Sequence, residues 1–326
     1  MNTDMDLTLY EDVLKEEIRI LNKAVWENKV PETKLNEWLE NFCDESLGPL
    51  SKQHLHMLYL LSQFMFFGSR EIREMLKYIY SHLFRYPIIR EIRKNNGDTL
   101  DSALLNSKFI EILKKTRFLA IGNPSESGTH LLYYFRQENK IPKDLFINAH
   151  EIFRTTREAG VPKLKLCCDA ERYIFIDDFC GSGTQAIDYS EKILKELKEQ
   201  NSKCKLHYYV LFATENGRKN IMQNTVFDKV ETVFELDESF QCFSNGSRFF
   251  LKSNNEIDKE FAKQMVIHYG KQLRYGPYGF KNGQQMLAFS HNTPDNTLPI
   301  FGGIAENGLF WRQIFPRYDK VYGGGQ

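Results

Sequence analysis

The apolar positions of the chain recur with one period in its first third and with another after it. Up to about residue 116 they recur every three to four residues, which predicts amphipathic helices. The helical segments are YEDVLKEEIRILNKAVWEN, PETKLNEWLENFC, SKQHLHMLYLLSQFMFF, SREIREMLKYIYSHLF and SALLNSKFIEILKK. Their apolar faces are expected to line a core, so we predict a helical N-terminal region over residues 1–116.

The ends of these helices carry local signals. Pro31 is expected to open the second helix, and Ser51 and Ser69 are expected to cap the third and the fourth. Pro87 is expected to end the fourth helix, because the residue before a proline is disfavoured in helical conformation.

After residue 116, short apolar runs alternate with helical segments. The predicted strands are RFLAIG, DLFINA, RYIFID, LHYYVLFA and KVETVF, and the predicted helices are THLLYYFRQ and residues 256–272. This alternation predicts an α/β fold with a parallel sheet, whose ligands bind at the carboxyl ends of the strands. We therefore predict an α/β domain over residues 117–326 that ends in an irregular lid or tail.

Charge and hydropathy narrow the range of partners. The 326 residues carry 43 Lys and Arg against 43 Asp and Glu, so no global field attracts nucleic acid or a membrane surface. No apolar run reaches the roughly 18 residues that a membrane span needs, and the acidic start is not typical of a secretion signal. We expect a cytoplasmic protein with no membrane association.

The cysteines lack the spacings of a metal site. No two are arranged as CxxC, and no pair of histidines completes a zinc site. In a cytoplasmic protein we expect reduced thiols at Cys43, Cys167, Cys168, Cys180, Cys204 and Cys242.

The segment YIFIDDFCGSGT combines a buried strand, two acids and a glycine loop. Asp177 and Asp178 stand at the carboxyl end of the strand, where they can meet hydroxyl groups or a hydrated cation. The glycines let backbone N–H groups converge on an anion at the start of a helix. We call residues 177–184 the acid-glycine loop, and its arrangement suits a ribose 5-phosphate. Its anion-binding part comprises Cys180, Gly181, Ser182, Gly183 and Thr184.

This segment resembles the signature of the type I phosphoribosyltransferases. In that family four apolar residues precede two acids, two apolar or small residues and a small-residue loop that ends in Gly-Thr. The resemblance implies that Asp177 and Asp178 contact the ribose hydroxyls and position Mg²⁺, in a catalytic role. It implies that residues 180–184 bind the 5-phosphate of phosphoribosyl pyrophosphate.

The same letters are also similar to the DPFxGSGT signature of amino-methyltransferases, which bind S-adenosylmethionine. Asp178 stands where that signature has Pro. Those enzymes also need an Asn/Asp-Pro-Pro-aromatic motif, and GNPSESG lacks its second Pro and its aromatic residue. Glu215 is the candidate ribose ligand in this alternative, although it lies far beyond the loop.

The loop after an earlier strand supplies a second element of the phosphoribosyltransferase pattern. In FLAIGNPSESGTHLLYYF a strand leads through a small polar loop into a helix, which is where that family binds pyrophosphate through backbone amides. An ordinary turn between strand and helix would have the same texture, and Glu126 stands where a cation would favour the anion. The pyrophosphate-binding candidates are Gly122, Asn123, Ser125, Ser127 and Gly128.

A basic stretch separates the two loops. Arg154, Arg157, Lys163 and Lys165 lie in INAHEIFRTTREAGVPKLKLCCDAERY. They suit either neutralisation of a bound pyrophosphate or a solvated loop.

The tail resembles a narrower group. FSHNTPDNTLPIFGG followed by LFWRQIFPR is similar to phosphoribosyltransferase-like proteins of bacterial conflict systems, which occur beside retron reverse transcriptases. The resemblance implies an effector or toxin role, with protein and nucleic-acid partners such as a reverse transcriptase and its DNA/RNA product. His291 is a candidate general acid or base in this segment, or a structural residue.

The function that we expect is action at ribose C1 of a phosphoribosyl or nucleotide substrate, with Mg²⁺, in antiviral defence. A non-catalytic module that senses nucleotides is the first alternative, and an S-adenosylmethionine-dependent methyltransferase is the second.

Overall fold

A computed structural model describes residues 3–122, 127–158, 161–253, 255–306 and 308–318. The chain divides into two compact units. The first unit comprises Met1–Arg70 with Asp237–Gln326, and the second comprises Glu71–Leu236. This division differs from the boundary that the sequence pattern predicts at residues 116 and 117.

The helices follow the predicted segments closely. In chain order they are α1 Thr3–Ala24, α2 Glu32–Leu39, α3 Leu50–Ser62, α4 Ser69–Tyr78, α5 Tyr86–Asn95, α6 Ser102–Lys114, α7 Ser127–Asn139, α8 Thr184–Tyr189, α9 Lys195–Gln200, α10 Glu215–Asn224, α11 Lys259–Gly270 and α12 Pro299–Gly302. Two π-helical segments, Ile79–Arg85 and Ser190–Leu194, join α4 to α5 and α8 to α9. No described helix is both long enough and apolar enough to cross a bilayer.

The strands form a parallel sheet and two small pairs. They are β1 Met65–Phe67, β2 Thr116–Ala120, β3 Phe153–Glu158, β4 Val161–Leu166, β5 Arg172–Cys180, β6 Lys205–Thr214, β7 Lys229–Leu236 and β8 Leu287–Phe289. The sheet has the order β2-β5-β6-β7, with every neighbour parallel. The fold is therefore α/β, with helices before the sheet, as predicted.

Aromatic side chains fill the core of the first unit. Trp38 stacks on Phe301 at 5.8 Å between ring centroids, and its indole N–H donates to the carbonyl of Ile300 at 2.8 Å. Trp26 contacts Phe315 edge to face at 5.3 Å. The tail thus packs on the N-terminal helices, which explains why the first unit takes residues from both ends of the chain.

The second unit places helices on both faces of its sheet. On one face, Tyr173 and Tyr208 lie in an apolar cluster with residues of α8, α9 and α10. On the other face, Phe84 contacts Phe118 of β2 at 5.3 Å, and the Tyr209 hydroxyl donates to the carbonyl of Leu83 at 2.9 Å. The helices after residue 70 therefore belong with the sheet, because they cover this second face.

Five local predictions are wrong for identifiable reasons. Met65–Phe67 does not continue the third helix but forms β1, which pairs with β8. Ser69 does not cap α4, because it is itself the first residue of that helix. Pro87 does not end a helix: the chain stays helical from the π-helical segment Ile79–Arg85 into α5, and the Leu83 carbonyl, four residues before Pro87, accepts the Tyr209 hydroxyl instead of a backbone N–H. Ser51 does not cap α3, since Pro49 precedes the helix and makes no side-chain cap. The segment DLFINA is not a strand: its short 3₁₀ turn, Lys143–Leu145, leaves a single bridge from Phe146 to β2.

Candidate functional site

The acid-glycine loop lies at the carboxyl edge of the parallel sheet. Ala120, at the end of β2, pairs with Ile176 of β5. Cys180, at the end of β5, pairs with Ala213 of β6. Because parallel strands end at one edge, the loops after β2, β5 and β6 all start there, which is where ligands bind in open α/β sheets.

The two acids occupy opposite faces of β5, because successive residues of a strand alternate. The hydroxyl of Tyr208 donates to Asp177 Oδ2 at 2.8 Å, and the Asp178 N–H donates to Asp177 Oδ1 at 2.9 Å. The Phe179 N–H donates to Asp178 Oδ1 at 2.8 Å. Asp178 is 8% exposed, and Asp177 is partly buried. Both carboxylates are therefore fixed in place by their own strand and its neighbour.

Burial sets the protonation of this pair. Removal from water and the adjacent Asp178 carboxylate raise the pKa of Asp177 well above its usual value, against the lowering effect of the Tyr208 hydrogen bond. Burial also raises the pKa of the Tyr208 hydroxyl, so Tyr208 remains a donor at neutral pH. The same effect raises the pKa of the Cys180 thiol to about 12, which excludes a thiolate nucleophile at that position.

The glycine part of the loop has the geometry that its sequence requires. Gly183 has a left-handed φ of 78° and lies immediately before α8. A Cβ there would lie 2.9 Å from Ile221 Cγ1. The hydroxyl groups of Ser182 and Thr184 are 2.9 Å apart, so the two polar side chains predicted to bind phosphate are adjacent.

Sequence reasoning missed the residues that support this loop from β6 and α10. The Thr214 hydroxyl donates to the carbonyl of Gly181 at 2.5 Å and accepts the Gly217 N–H at 2.9 Å, which also caps α10. The Asn220 amide donates to the carbonyl of Ser182 at 3.1 Å. The available signal was a threonine at a strand end with a glycine three residues later, in the first turn of the following helix.

Gly217 allows the closest approach in the site. A Cβ at this position would lie 2.2 Å from the carbonyl oxygen of Gly181. Glu215, the ribose ligand of the methyltransferase alternative, instead pairs with Lys219 at 2.6 Å along α10.

The candidate pyrophosphate loop is described at its two ends. Gly122 follows β2 with a φ of 94°, a conformation that favours glycine. Gly128 lies in the first turn of α7, where a Cβ would lie 2.7 Å from the Ala120 Cβ, so glycine permits the close packing of α7 on β2. Asn123 and Ser125 lie outside the described residues, as does the side chain of Ser127.

The basic stretch forms an antiparallel hairpin, β3–β4. Arg154 pairs with Lys165, and Thr156 pairs with Lys163. Residues that pair across an antiparallel ladder share a face, so one face of the hairpin carries Arg154, Lys163 and Lys165. All three side chains are exposed.

The tail residues lie in the first unit and have structural partners there. The ring of His291 stacks on Phe289 at 5.5 Å between centroids. The Thr293 hydroxyl donates to the carbonyl of Phe315 at 2.9 Å, and the Asn296 amide donates to the carbonyl of Phe280 at 3.0 Å. Thr293 and Asn296 are buried, and their hydrogen bonds hold the irregular tail together.

The oxygen donors of the loop fit Mg²⁺ only when a substrate supplies further ligands. No group of three or more His, Cys, Asp or Glu residues in the described ranges is placed to hold a metal. Mg²⁺ is commonly held by one or two carboxylates together with substrate phosphates and water. Asp177 and Asp178 match that pattern, although Tyr208 already occupies one oxygen of Asp177.

A comparison with protein-family models shows which family the chain belongs to. A family model described as PRTase-CE matches residues 35–317. The match covers most of the chain, including the acid-glycine loop and the tail up to Arg317. The chain belongs to the PRTase-CE family. The PRTase-CE match confirms the phosphoribosyltransferase-like resemblance of the loop, and it also takes in part of the N-terminal helical region.

Comparisons with individual proteins add less than the PRTase-CE match. A search of curated proteins finds no match. Solved structures similar to the chain include a hypothetical protein from Neisseria gonorrhoeae with bound ppGpp, at a TM-score of 0.27 and 8% identity over 54% of this chain and 85% of that one. Xanthine-guanine-hypoxanthine phosphoribosyltransferase from Helicobacter pylori has a TM-score of 0.25 and 8% identity, over 53% of this chain and 89% of that one. Hypoxanthine phosphoribosyltransferase from Trypanosoma cruzi, complexed with IMP, has a TM-score of 0.23 and 13% identity, over 52% of this chain and 75% of that one. Scores this low support no argument about the site.

Proposed function

We propose that the acid-glycine loop of this PRTase-CE protein binds the ribose 5-phosphate portion of a phosphoribosyl pyrophosphate or nucleotide, and that the protein acts at ribose C1. The observation that carries the proposal is the juxtaposition of two fixed acids with a glycine turn and two adjacent hydroxyl groups at the carboxyl edge of the sheet. Backbone N–H groups and these hydroxyls suit the 5-phosphate, and the acids suit the ribose diol.

The acids have separate roles in this proposal. When the bond from C1 to its leaving group breaks, positive charge develops on the sugar, and a nearby carboxylate stabilises it. Asp178 takes this role, because burial raises the pKa of Asp177 and so favours its neutral form. Asp177, fixed by the hydrogen bond from Tyr208, accepts a hydrogen bond from a ribose hydroxyl or donates one to it. Bound Mg²⁺ would neutralise charge on a leaving pyrophosphate.

The β3–β4 hairpin is the candidate source of cations for the leaving group of the substrate. Arg154, Lys163 and Lys165 share one face of β3–β4, and all three are exposed. A phosphorylated substrate needs positive charge opposite its leaving group. We therefore propose that this basic face attracts the pyrophosphate of the substrate.

Calorimetric titration with phosphoribosyl pyrophosphate and Mg²⁺ tests the proposal. We expect Asp178→Asn to weaken binding about ten- to hundredfold, since a hydrogen-bonded charge is lost. Asp188→Asn is the matched control: it makes the same change on an exposed residue of α8 and should leave affinity unchanged. Equal affinity of the Asp177→Asn/Asp178→Asn protein and the unmodified protein would rule out this site.

The second candidate is a module that binds a nucleotide without turning it over. The hydrogen bond from Tyr208 to Asp177 favours it, because one of the two acids is already engaged within the protein. Assays for released pyrophosphate and free base separate the candidates. An enzyme releases one of them in a manner that depends on Asp178, whereas a sensor binds the nucleotide and releases neither.

We further propose that the activity serves antiviral defence, with a reverse transcriptase and its nucleic-acid product as partners. The tail sequence supports this role through its resemblance to proteins of bacterial conflict systems. Expression in a bacterial host tests it: growth arrest is expected from the unmodified chain and not from Asp177→Asn/Asp178→Asn. Equal growth arrest by both proteins would contradict an effector role for the site.

A further inference from the structure

A cavity of about 200 Å³ lies at the opposite edge of the same sheet, where the strands begin. Arg172 is the first residue of β5 and pairs with Lys205, the first residue of β6. His207 pairs with Lys229, the first residue of β7. Paired residues of a sheet share a face, so these four side chains lie on the face that the helices around Phe84 cover. We call this space the basic cavity.

The walls of the basic cavity combine charge with apolar surface. The lining residues are Leu83, Phe84, Pro87, Ile88, Glu91, Arg172, Lys205, His207, Tyr209 and Lys229. Three cations face one carboxylate, so the lining carries a net positive charge. Lys205 lies 3.7 Å from Glu91, and Lys229 lies 3.3 Å from Glu231, which leaves Arg172 as the cation without a carboxylate partner in the described part of the chain.

Arg172 is the observation that points to a ligand. The residue is only 9% exposed, and its buried Nε has no acceptor among the described residues. Burial lowers the pKa of Arg172, but a guanidinium group stays protonated at neutral pH. Buried polar groups in folded proteins nearly always have a hydrogen-bond partner. An anion that meets the Arg172 guanidinium group from the cavity would offset the burial of this charge.

A chain of hydrogen bonds determines which ring nitrogen of the neighbouring His207 carries the proton. Tyr209 has one hydroxyl hydrogen, which it donates to the carbonyl of Leu83 at 2.9 Å. His207 Nδ1 lies 2.9 Å from the same hydroxyl oxygen and must therefore be the donor in that contact. Because His207 is neutral at pH 7, its Nε2 is left unprotonated and can accept a hydrogen bond. His207 therefore adds no positive charge to the cavity, whose cations are Arg172, Lys205 and Lys229.

We propose that the basic cavity binds an organic phosphate monoester. The phosphate would contact Arg172 and Lys229, and the organic group would lie against Phe84 and Ile88. A phosphate monoester carries nearly two negative charges at neutral pH, so it can engage Arg172 and Lys229 at once, whereas a carboxylic acid carries a single charge. This site is separate from the proposed phosphoribosyl site, since Asp178 lies six positions after Arg172 along the extended strand β5, a span of about 20 Å.

Calorimetric titration with phenyl phosphate, inorganic phosphate and benzoate tests the proposal. Phenyl phosphate should bind most tightly, because it alone supplies both the charge and the apolar group. Arg172→Met should weaken its binding about tenfold or more. Arg90→Met is the matched control on α5: Arg90 is exposed and outside the cavity lining, so its replacement should leave affinity unchanged.

The titration is repeated in Asp177→Asn/Asp178→Asn protein, because a phosphate probe can also reach the acid-glycine loop. Arg172→Met should weaken phenyl phosphate binding by the same factor in the unmodified protein and in Asp177→Asn/Asp178→Asn. The result for the basic cavity is then independent of whether the acid-glycine loop binds phosphate. Lys229→Gln, expected to weaken binding about threefold, provides a second readout if Arg172→Met does not fold. Equal binding of phenyl phosphate by Arg172→Met, or equal affinity for benzoate, would overturn the proposal.

Discussion

The two edges of one parallel sheet differ in how their polar groups are satisfied. At the carboxyl edge the acids and the glycine turn are held by internal hydrogen bonds, from Tyr208 to Asp177 and from Thr214 to Gly181. At the amino edge the Nε of Arg172 is buried without an acceptor among the described residues. The polar groups of the first edge are therefore satisfied within the protein, whereas the second edge holds a buried cation with one unsatisfied N–H group.

The largest effect is expected from Gly217→Ala at the carboxyl edge. The added Cβ would meet the Gly181 carbonyl at 2.2 Å, so α10 or the loop must move. We expect a loss of about 3 kcal/mol in the free energy of unfolding, measured by urea denaturation followed by circular dichroism. Gly246→Ala is the control, since no atom lies within 4 Å of its Cβ position, and equal losses in both would show that the close approach is unimportant.

The next effect concerns the amino edge and depends on pH. Burial, together with Arg172 and Lys229, lowers the pKa of His207 to about 3. A folded-state pKa below the unfolded value means that stability is present above about pH 6.5 and is lost as the pH falls towards 3.

His207→Gln removes this dependence. On going from pH 7 to pH 5, the unmodified protein should lose about 2 kcal/mol more than His207→Gln loses. Urea denaturation at the two pH values measures the difference. His268→Gln is the control, because His268 is partly exposed beside Asp44. If His207→Gln lost as much free energy of unfolding between pH 7 and pH 5 as the unmodified protein, the pKa of His207 would not be lowered. Water would then reach the amino edge more freely than the burial of His207 indicates.

A smaller effect is expected from Thr214→Val. The change removes the cap of α10 and the hydrogen bond to the Gly181 carbonyl, at a loss of about 1.5 kcal/mol. Thr214→Ser keeps the hydroxyl and should retain most of the stability. Thr155→Val, on the exposed face of the hairpin, should change stability by less than about 0.5 kcal/mol. No loss in Thr214→Val would contradict a preformed carboxyl edge.

The sequence predicts the centre of the second unit well because local pattern and tertiary structure agree there. Ile174, Phe175 and Ile176 form a buried central strand, and the acid-glycine loop follows it as expected. DLFINA fails as a strand although it is apolar, because apolar content alone does not distinguish a strand from a covered 3₁₀ turn. The prediction that Pro87 ends a helix is wrong because the π-helical segment before it keeps the chain helical, which the sequence pattern does not reveal.

The contacts that fix the site were beyond prediction from one sequence. Tyr208 and Asp177 lie on different strands, so only their register shows that the hydroxyl meets the carboxylate. Arg172 and Lys229 are likewise brought together by the common start of three strands. Such pairs need the sheet order β2-β5-β6-β7, which the sequence pattern does not specify.

The discontinuity of the first unit has a consequence for biosynthesis. Trp38 donates to Ile300, a residue 262 positions further along the chain. A ribosome therefore releases the N-terminal helices long before it makes the tail that buries their aromatic residues. The second unit lies wholly within that interval, so its sheet can fold first. The aromatic residues of the N-terminal helices therefore cannot be buried against Ile300 and Phe315 until that later segment has been made.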